Sequence, residues 1–121
     1  MIEIYKKYSF DSAHYLPKVP KEHKCASLHG HTYTLIITVS GKIDERGFII
    51  DYQDMDTLIK PIVNYVDHKL LNDIVDNPTS ENLTIYFAKE LKDLKNILKS
   101  VEVKETQNTG AIWRNNELFT F

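Results

Sequence analysis

The sequence predicts an α+β fold, a four-stranded antiparallel sheet with two helices on one face, in the order ββααββ. Three observations carry that prediction. Apolar side chains alternate with period two near both ends, they recur every three or four positions through the middle, and turn-forming residues fall where the period changes. At 121 residues the chain has the size of one domain, expected to span 1–121. Its 42% hydrophobic and 26% charged residues are the balance of an ordinary globular protein.

From Ile2 to His14, the apolar Ile4, Tyr8 and Phe10 hold even positions while Lys7, Ser9 and Asp11 hold odd ones, the alternation of a half-buried strand. Lys6 breaks the pattern. Pro17 to Lys24, with two prolines and several charges, reads as a loop. A second strand from His29 to Val39 sets Tyr33, Leu35, Ile37 and Val39 on one face and Thr32, Thr34 and Thr38 on the other, with Ile36 the exception. Turn residues from Gly41 through Gly47 predict a hairpin whose return strand is Phe48 to Ile50. Asp51 stands where a helix N-cap belongs. Met55, Leu58, Ile59, Ile62, Val63 and Val66 follow at helical spacing, with Pro61 expected to kink that helix. A second helix starts after Pro78, capped by Thr79 or Ser80, and buries Leu83, Tyr86, Phe87, Leu91 and Leu94. Period two then returns. Val101, Val103, Glu105 and Gln107 share one face, and Ala111 to Phe121 pairs with this strand through a turn at Asn108 to Gly110. Four strands leave two open edges, each a template for another chain, so self-association is expected.

Fifteen Lys and Arg against seventeen Asp and Glu give a net charge of −2, with both signs scattered along the chain, so a nucleic-acid partner is not expected. The single cysteine, Cys25, excludes an internal disulfide. The N-terminus lacks the zones of a secretory signal, and a reducing cytoplasm is the expected location. No apolar run approaches the roughly 20 residues that cross a bilayer, so no membrane role is expected.

Residues two apart in a strand point to the same face, so His29 and His31 project together beside Tyr33, Leu35 and Ile37. His14 lies in the same way on the face of Tyr8 and Phe10. If the two strands are neighbours, all three imidazoles converge, and three neutral imidazoles with one vacant position make a catalytic zinc site. A His-x-His pair by itself fits equally a polar face or a core imidazole bonded to a carbonyl. Cys25 has two possible parts near such a site: as a fourth ligand it closes the metal, and off the metal it is a candidate base or nucleophile. A lone cysteine is also often just a small buried hydrophobe. Asp67 and His68 are adjacent, so a relay between them needs a turn that folds the pair together; otherwise they simply follow a helix end. Parity places the carboxylate of Glu105 on a buried face, where it requires a cationic or donor partner, such as a ligand with a guanidine-like edge; equally, it is a strand-end residue already exposed to water.

These residues occur in five separated pieces: Phe10 to His14, Cys25 to His31, Asp67-His68, Pro78 to Asn82 and Lys104 to Thr106. In that order the chain resembles the 6-pyruvoyl-tetrahydropterin synthase superfamily, from about Tyr8 to Arg114. Within it the chain resembles the bacterial branch, the 6-carboxy-5,6,7,8-tetrahydropterin synthases of the queuosine pathway. Three residues separate Cys25 from His29, as in that branch.

The resemblance implies that His14, His29 and His31 hold zinc, one ion per subunit, that Cys25 is the proton-abstracting thiol, and that His68 with Asp67 forms its relay. It implies that Glu105 grips the pterin ring and that Thr79, Ser80 and Glu81 line the pterin pocket. The implied fold is the tunnelling fold, whose sheets join in threes into a barrel, giving a trimer or a hexamer of two stacked trimers. The implied reaction converts 7,8-dihydroneopterin triphosphate to 6-carboxy-5,6,7,8-tetrahydropterin, acetaldehyde and triphosphate. The rivals are the 6-pyruvoyl product on the same fold and a non-catalytic zinc or pterin-binding module whose metal Cys25 closes. Glu22 and the tail 115–121 depart from the family pattern, and Lys24 is a candidate for holding the triphosphate.

Overall fold

The structure, a computed structural model, describes residues 1–116. Two long strands, β1 (Ile2–His14) and β2 (His29–Gly41), pair antiparallel along their whole length, with Phe10 opposite Tyr33 and His14 opposite His29. Two helices follow, α1 (Tyr52–Val66) and α2 (Ser80–Glu90), and then β3 (Leu98–Lys104) and β4 (Gly110–Arg114). The sheet order is β1-β2-β3-β4, and all its pairings are antiparallel. This is the expected α+β arrangement.

Period two decides which strand residues are buried. Tyr8, Phe10, Tyr33, Leu35, Ile37, Val39, Val101, Val103 and Trp113 share one core with Met55, Ile59 and Val63 of α1 and Leu83 and Phe87 of α2. Phe10 stacks on Tyr33 at 4.9 Å and tilts against Phe87 at 5.7 Å, so an aromatic group ties β1, β2 and α2 together. Burying a Phe side chain of this kind stabilises the fold by about 1.5–3 kcal/mol. Lys6, the apparent exception in β1, bonds its ammonium to Asp56 of α1 at 2.6 Å, and the Tyr8 hydroxyl donates to the same carboxylate at 2.7 Å. The interruption in the apolar pattern is a docking contact.

Both predicted helix caps form. The Asp51 carboxylate accepts from the Gln53 amide, and the Thr79 hydroxyl accepts from the Asn82 amide. Helix α1 runs through Pro61 without ending.

Five expectations are corrected. Phe48 to Ile50 form no return strand, and Ile49 and Ile50 bend away, because the turn closes on itself through Asp44, whose amide donates to the Phe48 carbonyl and whose carboxylate accepts from the Phe48 amide. Helix α2 stops at Glu90; Leu91 caps it and Leu94 lies in a separate 3₁₀ turn, though both are buried. Strand β3 ends at Lys104, so Gln107 lies exposed in the hairpin turn rather than on the buried face. That turn spans 105–109. It is closed by bonds from the Glu105 and Thr106 amides to the Thr109 carbonyl, and Gly110 already belongs to β4. A Cβ on Gly110 would meet the Val103 carbonyl oxygen at 2.8 Å, so only glycine lets the two strands approach here. The last strand was expected to reach Phe121; it ends at Arg114, and 117–121 lie outside the described residues.

Strand β1 is one edge of the sheet and β4 the other. Near its C-terminal end β1 is covered by the segment after α1, through the bond from the Ala13 amide to the Lys69 carbonyl and a parallel bridge from Ala13 to Leu70. Among the described residues no helix is long and apolar enough to cross a membrane.

Candidate metal centre and active site

The parity of β1 and β2 sends His14, His29 and His31 to one face, and the register brings them together. His14 stands opposite His29, and His31 stands two residues along β2, opposite Ser12. The ring centroids are 4.6 Å apart for His14 and His29, 5.2 Å for His14 and His31, and 4.8 Å for His29 and His31. His14 is fully buried and the other two are partly so.

Backbone carbonyls fix the orientation of two of these rings. His14 Nδ1 lies 2.8 Å from the Pro78 carbonyl oxygen, and His29 Nδ1 lies 2.7 Å from that of Ser27. A carbonyl only accepts, so each Nδ1 must carry the proton and each Nε2 presents a lone pair. Those two Nε2 atoms lie 3.0 Å apart. The Glu105 carboxylate adds an oxygen 3.1 Å from His14 Nε2 and 3.4 Å from His31 Nε2. His31 Nε2 is buried without a hydrogen-bond partner. Burial, with the neighbouring His14 and His29 acting in the same direction against Glu105, holds the His31 imidazole below its usual pKa and favours the neutral, ligating form.

Bare donors facing one another repel unless a cation lies between them. Nitrogen and oxygen ligands at zinc bond lengths stand about 3.3 Å apart around a tetrahedral ion, which is the separation seen for the three closest pairs. All four donor atoms fall within 4.8 Å of one another. The residues therefore fit a divalent metal, with His14, His29, His31 and Glu105 as the group able to hold it.

Two partners of this site escaped the sequence reading. The strand period assigns Tyr33 to the core, yet its hydroxyl lies 3.2 Å from His14 Nδ1, and burial together with the Glu105 charge keeps it protonated by raising its pKa. Pro78 marks a helix boundary in the sequence, yet its carbonyl orients His14. Neither carries a signal in composition, because one acts through a ring-end hydroxyl and the other through backbone.

Cys25 lies half-buried in a 3₁₀ turn, Lys24–Ala26, which His23 caps by accepting from the Cys25 amide. Together with Lys24, His29, His31, Glu105 and Thr106 it lines a cavity of about 440 Å³. It does not belong to the group of four donors. Asp67 and His68 do form a pair, Oδ2 to Nδ1 at 3.0 Å, although they are neighbours in sequence. The turn that makes this geometry possible is His68 itself, in the left-handed region at φ +57°, a conformation costing about 1–3 kcal/mol in a non-glycine residue. The His68 amide donates to the Asp11 carbonyl at 2.6 Å, and the Asp67 carboxylate accepts from the Asp11 amide at 2.8 Å. That bond first, and His68 second, hold the Asp67 carboxyl below its ordinary pKa.

His68 of this pair lines a different cavity from Cys25. His68 borders a space of about 570 Å³ with Asp11, Thr32 and Lys69, and His31 is the residue common to both cavities. Thr79, Ser80 and Glu81 begin α2 next to Pro78; Thr79 is engaged as the cap, Ser80 is half-buried and Glu81 is exposed. Neither cavity includes them.

Fold and site together define a small α+β protein in which three imidazoles of the sheet and a carboxylate of the adjoining turn are able to hold a metal ion, with a free thiol beside them. The profile of the 6-pyruvoyl tetrahydropterin synthase family matches residues 3–116, and the chain belongs to that family. It is similar to the 6-carboxy-5,6,7,8-tetrahydropterin synthase of Bacillus subtilis, with 39% identity covering 93% of this chain and 84% of the relative. It is similar also to the dihydroneopterin monophosphate aldolase of Pyrococcus furiosus, with 33% identity covering 90% and 86%. Among solved structures, the 6-pyruvoyl tetrahydropterin synthase of Caenorhabditis elegans superposes with a TM-score of 0.85 at 25% identity, covering 95% of this chain and 96% of the other.

Proposed function

We propose that the chain is a zinc-dependent lyase converting 7,8-dihydroneopterin triphosphate into 6-carboxy-5,6,7,8-tetrahydropterin, acetaldehyde and triphosphate, a cytoplasmic step of queuosine biosynthesis. The observation that carries this reading is the convergence of three imidazoles and one carboxylate beside a thiol that is not among the donors. The family and the naming of the Bacillus subtilis relative supply the substrate class.

His14, His29 and His31 would hold the zinc, one ion per subunit, and when bound it would act as a Lewis acid toward the side-chain hydroxyls of the substrate. Cys25 removes a proton from the substrate side chain, a task that requires its sulfur to stay off the metal. Glu105 holds the pterin ring by accepting two parallel bonds from its guanidine-like edge. Thr79, Ser80 and Glu81 contribute to the ring pocket. Lys24, which shares the Cys25 cavity, offers a cation to the triphosphate.

Asp67 and His68 serve as the proton relay for Cys25. Because His68 borders a different cavity of the chain from Cys25, we infer that the relay forms between copies in the trimer or hexamer. Strand β4 and the N-terminal part of β1 offer edges for that association. Mixing a Cys25→Ala variant with a His68→Ala variant should restore turnover that neither has alone; a mixture as inactive as its parts contradicts the shared relay.

Zinc-loaded protein incubated with dihydroneopterin triphosphate should release acetaldehyde. No acetaldehyde from fully loaded protein refutes this activity and leaves the non-catalytic binding module. Product mass separates the 6-carboxy product from the 6-pyruvoyl one, and incubation with dihydroneopterin monophosphate tests the aldolase activity that names the Pyrococcus furiosus relative.

A further inference from the structure

We propose that Asn72 is a positioning residue for His68: its side-chain amide brackets the backbone of Tyr15 and so locks the segment that holds His68 in its left-handed turn. The bracket rests on geometry alone, and its consequence for turnover rests on the relay reading above.

His68 is the one non-glycine residue with a positive φ among the described residues. A backbone held there relaxes unless its surroundings over-determine it. On the side toward α1 the restraint is ample. The Ser12 hydroxyl donates to the Val66 carbonyl at 2.5 Å, the Asp11 amide to the Asp67 carboxylate at 2.8 Å, and the His68 amide to the Asp11 carbonyl at 2.6 Å. On the far side the backbone offers less. The Ala13 amide donates to the Lys69 carbonyl at 3.1 Å and Ala13 bridges to Leu70. The chain then coils into a 3₁₀ turn, Leu71–Asp73, where the Asp73 amide donates back to the Leu70 carbonyl rather than across to β1.

Asn72 takes over from the backbone at that point. Its Oδ1 accepts from the Tyr15 amide at 3.0 Å, and its Nδ2 donates to the Tyr15 carbonyl at 2.9 Å. A carboxamide carries a donor and an acceptor side by side, as a peptide group does, so the side chain adds one more rung beside β1. Leu71 is fully buried and pins the segment to the core, but an apolar contact is non-directional and sets no register along the strand. The two-pronged bond does. With rungs at Ala13 and Tyr15 both closed, residues 69–72 can neither slide nor lift, and the turn at His68 cannot unwind. The 3.0 Å contact between Asp67 and His68 depends on that turn. Asn72 therefore acts on the pair from a place that lines neither the His68 cavity nor the Cys25 cavity.

The test follows amide hydrogen exchange, residue by residue, in the zinc-loaded full chain. In Asn72→Ala the amides of Ala13 and His68, whose own acceptors are untouched, should exchange at least about tenfold faster, as expected for the loss of one or two hydrogen bonds. Adding His68→Gly removes the strain, so the remaining bonds should suffice and the Ala13 amide should slow again by about fivefold or more, the low end of the cost of a left-handed non-glycine residue. Zinc should stay at one equivalent per chain. With dihydroneopterin triphosphate, kcat should fall at least about tenfold while KM stays within about twofold, because the proton carrier moves and the binding groups do not. Faster exchange at Tyr15 alone overturns the lock. An Ala13 amide that stays fast after His68→Gly overturns the link to the strained turn, and lost zinc overturns it in favour of support for the metal ligands. Fast exchange with unchanged kcat overturns the effect on the relay. Asn72→Asp, which keeps the acceptor and loses the donor, carries the same test if Asn72→Ala fails to fold. Wild-type protein that releases no acetaldehyde refutes the lyase reading separately, and the exchange rates still decide the bracket.

Discussion

His14, His29 and His31 take their directions from the period of two paired strands, whereas His68 takes its direction from one residue held in the left-handed region at the end of a helix. The first arrangement needs no backbone strain, buries His14 fully and packs His14 and His31 edge-on against Tyr33. The second is strained, exposed, and tied to β1 by two bonds to the Asp11 backbone. The contrast suits the two jobs proposed for these residues. Ligands must keep a fixed mutual spacing, which a sheet supplies at no conformational cost, while a proton carrier must reach toward solvent and a second group, which a turn supplies.

Four changes would break or sharpen that contrast. The largest effect should follow His14→Ala, which removes the only fully buried donor: metal content should fall to background by elemental analysis, and turnover with it. Cys25→Ala should retain one equivalent of zinc yet lose turnover by about 10²- to 10⁴-fold, the usual contribution of a general base. Equal loss of metal and turnover would return Cys25 to the ligand set. His68→Gly should raise stability by about 1 kcal/mol in a denaturant titration, because glycine accepts the left-handed conformation freely, while turnover falls. A variant both more stable and fully active would remove His68 from the chemistry.

The smallest effect concerns acid stability. The folded Asp67 carboxyl has a lowered pKa, so the unfolded chain binds more protons between the folded and unfolded values, and stability rises with pH across that window. The contribution is full above the ordinary carboxylate range, near about 3.9, and is lost as pH falls through the folded value. Asp67→Asn should flatten that acid limb in urea midpoints measured from pH 5 downward; an unchanged slope would show that the bond to the Asp11 amide carries no charge dependence.

The strand-built part was legible in sequence because side-chain direction in a strand follows from counting. Even positions of β1 and odd positions of β2 were enough to group His14, His29 and His31, given only that the strands are neighbours. Counting also flagged Glu105 as a carboxylate in need of a partner. It could not name the imidazoles as that partner, because the β2 to β3 register, with Thr34 opposite Lys104, depends on pairing between distant segments. The turn-built part was less legible. Adjacent side chains meet at Asp67 and His68 only because of a positive φ that histidine rarely adopts, and nothing in the local sequence announces it. Phe48 to Ile50 misled for a related reason: the apolar run fits a strand, but the Asp44 carboxylate gathers the turn amides before a return strand can pair.

The central claim is that imidazoles and a carboxylate hold the metal while the thiol beside them stays free. Zinc-loaded protein should be treated with an alkylating reagent while zinc content is followed. The account predicts one equivalent of zinc per chain retained through complete alkylation of Cys25. Zinc released in step with alkylation, or a thiol that reacts only after zinc is chelated, would contradict it.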